Sequence, residues 1–399
     1  MENIGDPVAK GEKIPEWMKQ IVADLAMKDC SYGYCATKGI LETREFLAEM
    51  TNRRGKAQLA AEDIIFFNGL GDAIQKVYGL LKREARVIGP SPTYSTHSSG
   101  EAAHAGQAPV SYRLDPDNNW YPDLDDLRLS VKYNPAISGL LIINPDNPTG
   151  AVYPERVLME MIKIAREYDL FIICDEIYHN IIYNGESTKP ISDLIGDLPA
   201  IAMKGISKEL PWPGSRCGWI EVYNREKDPV FARYIQSIVD SKMVEVCSTT
   251  LPQKAIPPIL SHEQYPIYLN ERTSRYEKFS NIAYDILKKV KGIKVNRTNG
   301  AFYMSITFER GKLNQTQTLP IDTAQVQEMI SNLVAEPETS NDKRFVYYLL
   351  ASTGICVVPL TSFSTEEEGF RITLLERDEH EFTTIFETIA ASITAYLNS

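Results

Sequence analysis

From about residue 60 onward, short apolar runs alternate with segments whose apolar positions recur at helical spacing, the pattern of an α/β layer on a mostly parallel sheet. Ile64–Phe67 reads as a strand, followed by the turn Asn68-Gly69-Leu70-Gly71 and a helix from Ala73 to Lys82. Arg86–Ile88 is the next strand, ended by Gly89-Pro90-Ser91-Pro92. Gly139–Ile143 and Leu170–Cys174 are apolar without alternation, the mark of strands covered on both faces, and the helical stretch Pro154–Tyr168 between them completes a βαβ unit. Ile201–Lys204 is a weaker strand. Phe231–Leu260 is mostly helical, with a break expected at Pro257-Pro258.

After about residue 270 the pattern changes. A long charged helix from Asn270 to Lys291 leads to strand-like Ala301–Met304, a polar stretch from Gly311 to Asp342, the strands Ile355–Val358 and Phe370–Thr373, and a closing helix. The expected organisation is a large α/β domain over 31–270 and a smaller α+β domain assembled from 1–30 and 271–399. A chain of 399 residues exceeds what one core usually serves, and 43% hydrophobic residues can fill two.

A formal charge of −11 argues against a general nucleic-acid or anionic-membrane surface, although a local cationic pocket remains open to a small anion. Six scattered cysteines without a CxxC pair read as reduced thiols, and five histidines without ligand spacing give no case for a metal. No signal pattern or long apolar run is present, so a cytoplasmic location is expected.

A lone lysine among 42 Lys and Arg is ordinarily a solvated surface charge. Lys208 differs because it lies in Ser207-Lys208-Glu209-Leu210-Pro211-Trp212-Pro213-Gly214-Ser215-Arg216, just past a strand, with a second cation beyond a Pro/Gly turn. An amine able to form a Schiff base and a guanidinium able to clamp a phosphate are the two protein groups that pyridoxal 5'-phosphate most needs. Asn144-Pro145-Asp146-Asn147-Pro148-Thr149-Gly150 follows a buried strand, where two Asn-Pro steps fix Asn147 at the sheet edge; alone it is a turn. Asp175 ends the next strand, where a carboxylate is commonly a helix cap. Its functional reading is as partner to a protonated pyridine nitrogen, with Tyr178 and Asn147 hydrogen-bonding the phenolic oxygen. Gly69-Leu70-Gly71 lacks the third glycine of a dinucleotide fingerprint, Ile74 standing there, but a glycine turn at a helix start is a natural phosphate seat.

Taken together, these motifs resemble those of the class I/II pyridoxal-phosphate-dependent aminotransferases of fold type I, in that family's order, from about Gly5 to Arg371. Ser207-Lys208 with Arg216 matches the Schiff-base lysine and phosphate arginine; Asn147, and Asp175 with Tyr178, match in their own motifs. The resemblance implies a large domain with a mostly parallel, seven-stranded-type sheet and a smaller α+β domain. It implies that Tyr94 stacks on the cofactor ring, that Arg371 clamps the substrate α-carboxylate, and that Gly5 belongs to a segment closing over the substrate. It also implies a homodimer with shared sites, in which Tyr34 reaches the neighbouring subunit's cofactor phosphate and joins Lys208 and Asp175 as a catalytic residue.

Two positions depart from the family pattern. Gly205 stands where a hydroxyl residue usually binds phosphate, and Leu70 offers none, so phosphate binding leans on Arg216, backbone amides, Ser207 and Tyr34. The N-terminal arm before Ile4-Gly5-Asp6-Pro7 is very short, which leaves dimer contacts by such an arm open. The implied activity is ping-pong transfer of an amino group between an L-amino acid and a 2-oxo acid, with Lys208 as base and then acid. Alternatives are a lyase or synthase of the same fold, resembling aminocyclopropane-carboxylate synthases or C–S β-lyases, and a non-catalytic cofactor-binding regulator. Trp17, Tyr32 and Phe363 are candidates for the wall of the substrate side-chain pocket, and no second arginine marks a site for an acidic side chain.

Overall fold

The computed structural model describes residues 1–399, and its strands fall into two sheets. The larger holds β1 (Ile64–Phe67), β2 (Arg86–Ser91), β3 (Ser111–Asp115), β4 (Tyr121–Pro122), β5 (Ile137–Ile143), β6 (Phe171–Asp175), β7 (Ala200–Gly205) and β8 (Gly218–Tyr223). Their spatial order is β1-β8-β7-β6-β5-β2-β3-β4. The interior pairings β2–β3, β2–β5, β5–β6 and β6–β7 are parallel, whereas β8 runs antiparallel to both neighbours and β4 to β3. The short edge strand β4 makes eight strands where seven were expected. Its two residues, one a proline, carry no strand-length apolar pattern in the sequence.

The reversal at β8 matters for the site. A parallel connection would carry the chain back behind the sheet, but β7 and β8 pair antiparallel, so residues 206–217 turn over at the carboxyl edge of β7. That loop holds Ser207, Lys208 and Arg216. The turn after β5 and the end of β6 open onto the same edge, where α/β sheets place their ligands.

β5 and β6 are buried almost throughout, because helices cover both faces. Helix Leu70–Gly79 presents Ala73, Ile74, Val77 and Tyr78 to one face, at positions i, i+1, i+4 and i+5, and begins three residues before the expected Ala73. The second sheet, β9 (Ile293–Val295), β10 (Tyr303–Phe308), β11 (Val358–Pro359) and β12 (Gly369–Thr373), is antiparallel in the order β11-β12-β10-β9 and has its own core with helix Glu379–Leu397. Helix Gln264–Leu287 reaches that core and also, through Tyr265 and Tyr268, the large one.

Three sequence expectations change. The helical stretch after Phe231 breaks at residues 244–249, between helices Pro229–Met243 and Thr250–Leu260, and Pro257 and Pro258 lie inside the second helix. Pro257 has no N–H for the Gln253 carbonyl, but Thr43 Oγ1 donates to that oxygen at 3.1 Å, so the helix continues. The strand expected at Ile355–Val358 contracts to Val358–Pro359. Helix Glu16–Ala26, expected with the smaller domain, packs Met18 and Leu25 into the large core beside helix Thr250–Leu260.

Candidate active site

At the carboxyl edge of β5, β6 and β7 lies a cavity of about 310 Å³, lined from the large sheet by Asn147, Asp175, Tyr178, Ser207, Lys208 and Arg216. The smaller sheet contributes Tyr303 and Arg371, and the N-terminus contributes Ile4 and Gly5. With Leu70, Gly71 and Tyr94 also on its wall, eight segments remote in sequence meet there.

Asp175 is buried at the end of β6, its Oδ1 accepting from Ile177 N at 3.1 Å. Its Oδ2 lies 3.1 Å from His97 Nε2, and His97 Nδ1 lies 3.2 Å from the Tyr78 hydroxyl. One proton arrangement satisfies all three groups: Tyr78 donates to Nδ1 and Nε2–H donates to the carboxylate. Burial, with Glu101 and Asp175 among the nearby charges, pushes the Tyr78 phenol up, which keeps it a donor. The sequence reading missed His97. It stands three residues after Tyr94 in helix Ser95–Ala105, and that spacing behind a cavity-lining aromatic was the available signal.

Arg371, in the middle of β12, is buried and has no carboxylate partner. Its Nη1 donates to Asn147 Oδ1 at 3.0 Å and its Nη2 to Asn3 O at 2.7 Å. The guanidinium lies over the rings of Tyr303 at 4.4 Å and Phe363 at 4.8 Å, and Nε has no acceptor. A buried, rigidly held cation with a donor to spare is complementary to a carboxylate. Tyr303, also missed, accepts from the Tyr178 hydroxyl at 3.1 Å. Burial and then Tyr303 raise the Tyr178 phenol.

Arg216 also lines the cavity, at the end of the β7–β8 loop, and likewise has no carboxylate partner. Gly69, at φ 86°, lets the backbone pass so close that a Cβ there would fall 2.5 Å from Arg216 Nη2. Helix Leu70–Gly79 starts at this point, so its first-turn amides and the guanidinium converge on one small volume. That donor set fits a phosphate ester. The buried Asp175 in the same cavity fits a ring nitrogen, so the residues present suit pyridoxal phosphate. Lys208 Nζ donates to Gly5 O at 2.7 Å and sits 5.7 Å above the Phe302 ring.

Not every expected residue is brought here. Tyr34 is 87% exposed and off the cavity within its own chain. Trp17 stacks on His262 at 4.4 Å and packs on the large core, and Tyr32 is exposed, so neither walls this cavity. Phe363 touches it only through Arg371. Gly205 has little room for a side chain: a Cβ would meet Cys217 O and Ile177 Cδ1 at 3.1 Å.

The sequence over residues 3–389 matches the family model of aminotransferase class I and II. The chain is 60% identical over 398 residues to an aminotransferase of Methanocaldococcus jannaschii, covering all of this chain and 92% of that protein. It is 31% identical over 325 residues to the glutamate-pyruvate aminotransferase AlaA of Escherichia coli, covering 80% of this chain and 78% of that one. Among solved structures, an alanine aminotransferase from Pyrococcus furiosus superposes with a TM-score of 0.82 at 27% identity, covering 100% of this chain and 91% of that chain.

Proposed function

The chain belongs to the class I and II aminotransferases, and from that premise, a pyridoxal-phosphate-dependent transaminase, we propose which of its residues run the reaction. The observation that carries the assignment is the meeting of Lys208, Asp175, Arg216 and Arg371 in one cavity. We assign Arg216, Ser207 and the first amides of helix Leu70–Gly79 to the cofactor phosphate, Asp175 to the ring nitrogen, Asn147 and Tyr178 to the phenolic oxygen, and Tyr94 to the ring face. When bound, the cofactor supplies an aldehyde that captures the amino group and a ring that draws off the electron pair left at the substrate α-carbon.

Arg371 then fixes the substrate carboxylate, orienting the α-carbon toward Lys208. Lys208 Nζ takes the α-proton and later returns one on the way to the oxo acid. Asp175, held by His97 and by the Ile177 amide, stays an acceptor facing the cavity. Gly5 and Ile4 roof the site and exclude water. Likeness to named aminotransferases favours transfer over the lyase chemistry that the same fold could host.

The names of AlaA and of the Pyrococcus enzyme support transfer between glutamate and pyruvate, or in reverse between alanine and 2-oxoglutarate. A panel of donors against those acceptors tests this; an aromatic amino acid far outperforming alanine would overturn it. A homodimer is supported by an exposed apolar face, with Tyr32, Tyr34 and Val244 each more than three-quarters exposed, where Thr250 Oγ1 donates to Gly33 O and Cys35 Sγ to Ser248 O. The central test is Lys208→Ala. The purified variant is expected to lose the visible absorbance of the lysine-linked cofactor, and transamination should fall by roughly 10²- to 10⁴-fold or more. A variant keeping both would refute the assignment.

A further inference from the structure

The first twelve residues form a strap across the mouth of the cavity, fastened along its length. Glu2 N donates to Cys356 O and Thr373 N to Glu2 O, and Arg371 holds Asn3 O. In the middle, Gly5 O accepts from Lys208 Nζ, and a Cβ on Gly5 would fall 1.8 Å from the Tyr303 hydroxyl oxygen, so the close approach needs glycine. At the far end Glu12 is buried, and its carboxylate accepts from Arg275 Nη2 at 2.8 Å and Tyr268 Oη at 3.2 Å. Arg272 Nε stands 2.5 Å from Glu12 Oε1, a close ionic approach without the alignment of a hydrogen bond.

Arg272 is the second half of the connection. It projects from helix Gln264–Leu287, is 1% exposed, and its Nη1 donates to the main-chain oxygens of Lys208 at 3.0 Å and Glu209 at 2.5 Å. Its Nη2 donates to Tyr276 Oη at 3.0 Å. The strap therefore reaches Lys208 twice: directly at the amine through Gly5, and at the main chain through Glu12 and one guanidinium. Neither Glu12 nor Arg272 lines the cavity. Glu12 is the one carboxylate within ion-pair distance of Arg272, and a buried guanidinium without its counter-charge is strongly disfavoured. Seating the strap and fixing the backbone that carries Lys208 are thus one energetic event.

We propose that Glu12 and Arg272 are positioning residues, which set where the Lys208 amine stands once the N-terminal strap is seated. This rests on Lys208 being the reactive amine. The fork geometry of Arg272, one arm on two carbonyls and another edge on a carboxylate, is the operative feature, and a lysine point charge cannot reproduce it.

The experiment compares Glu12→Gln, Arg272→Lys and the double variant, measuring steady-state kinetics of the holoenzyme and peptide-level amide hydrogen exchange with and without cofactor. Glu12→Gln should lower kcat roughly ten- to a hundredfold through misplacement of the amine, with KM for the amino acid within about threefold. Exchange should quicken in both forms, at residues 1–12 and also at 206–212, which the strap reaches only through Lys208 and Arg272. Arg272→Lys should behave alike, and the double variant should be no worse than the poorer single one, since the two residues act in series. Recovery of kcat in Arg272→Lys, losses that multiply in the double variant, or a freed strap with unchanged exchange at 206–212 would each overturn the proposal. Should Arg272→Lys fail to fold, the near-isosteric Glu12→Gln carries the test alone through its kcat and its exchange at 206–212. An inactive Lys208→Ala beside a normal Glu12→Gln would sink this inference only, whereas an active Lys208→Ala would sink the assignment of Lys208 beneath it.

Discussion

Arg371 carries a full charge in a buried setting, with two aromatic faces, an amide oxygen and a main-chain oxygen around it and no acid in reach. Such a group is tolerated because its donors are partly met, and the substrate carboxylate proposed above would complete them. Replacing it with lysine keeps the charge and loses the planar fork. We expect kcat/KM for amino acids to fall about 10- to 100-fold, the worth of a charge-assisted hydrogen bond, with cofactor affinity unchanged in a spectroscopic titration. Asp146, in the turn after β5, is a second residue governed by burial. Desolvation pushes it up to about 7, against the opposing pull of Thr149, whose N and Oγ1 donate to Oδ2 at 3.1 and 2.5 Å. An acid raised in the folded state binds its proton more tightly there than in the unfolded chain. Its contribution to stability is therefore fully present below the ordinary carboxylate range and is lost as the pH climbs to about 7. Melting temperature followed across that window should decline in the native chain and decline less in Asp146→Asn; identical slopes would contradict this.

At the scale of elements, helix Thr250–Leu260 shows how a sequence rule is overridden. Two adjacent prolines signal a break, and the helix survives because Thr43, from the packed helix Leu41–Asn52, caps the Gln253 carbonyl that Pro257 abandons. Thr43→Val removes that donor and leaves a buried carbonyl unpaired, at a cost of about 1–3 kcal/mol readable in urea unfolding. A smaller loss than that would mean the oxygen finds another donor. The strands were legible for the opposite reason: β1, β5 and β6 are mostly apolar because both faces are covered, so pattern and burial coincide. β4 and β11 were not, since two residues cannot display a period and their pairing depends on neighbours supplied by distant chain. His97 and Tyr303 went unnoticed on similar grounds. Each sits in an ordinary helix or strand, and becomes part of the site only by facing Asp175 and Tyr178 across a packed interface.

For the whole molecule, Tyr32, Tyr34 and Val244 stand exposed, and a second copy is the occupant proposed above. Sedimentation should give the mass of two chains. Mixing Tyr34→Ala with Lys208→Ala subunits should restore activity that neither homodimer has, because one of the two shared sites then carries both intact residues; no recovery would argue against sharing. The sequence by itself determined the α/β character, the order of the motifs and the residue types at Asn147, Asp175, Lys208, Arg216 and Arg371, because strand-end motifs and turn chemistry are local. Only the tertiary structure decided that Arg371 is buried over two rings without an acid partner, that His97 backs Asp175, and that Glu12 reaches the backbone of Lys208 through Arg272. Those relations join residues up to hundreds of positions apart, and only packing of the two sheets and the N-terminal strap brings them within a hydrogen bond's length.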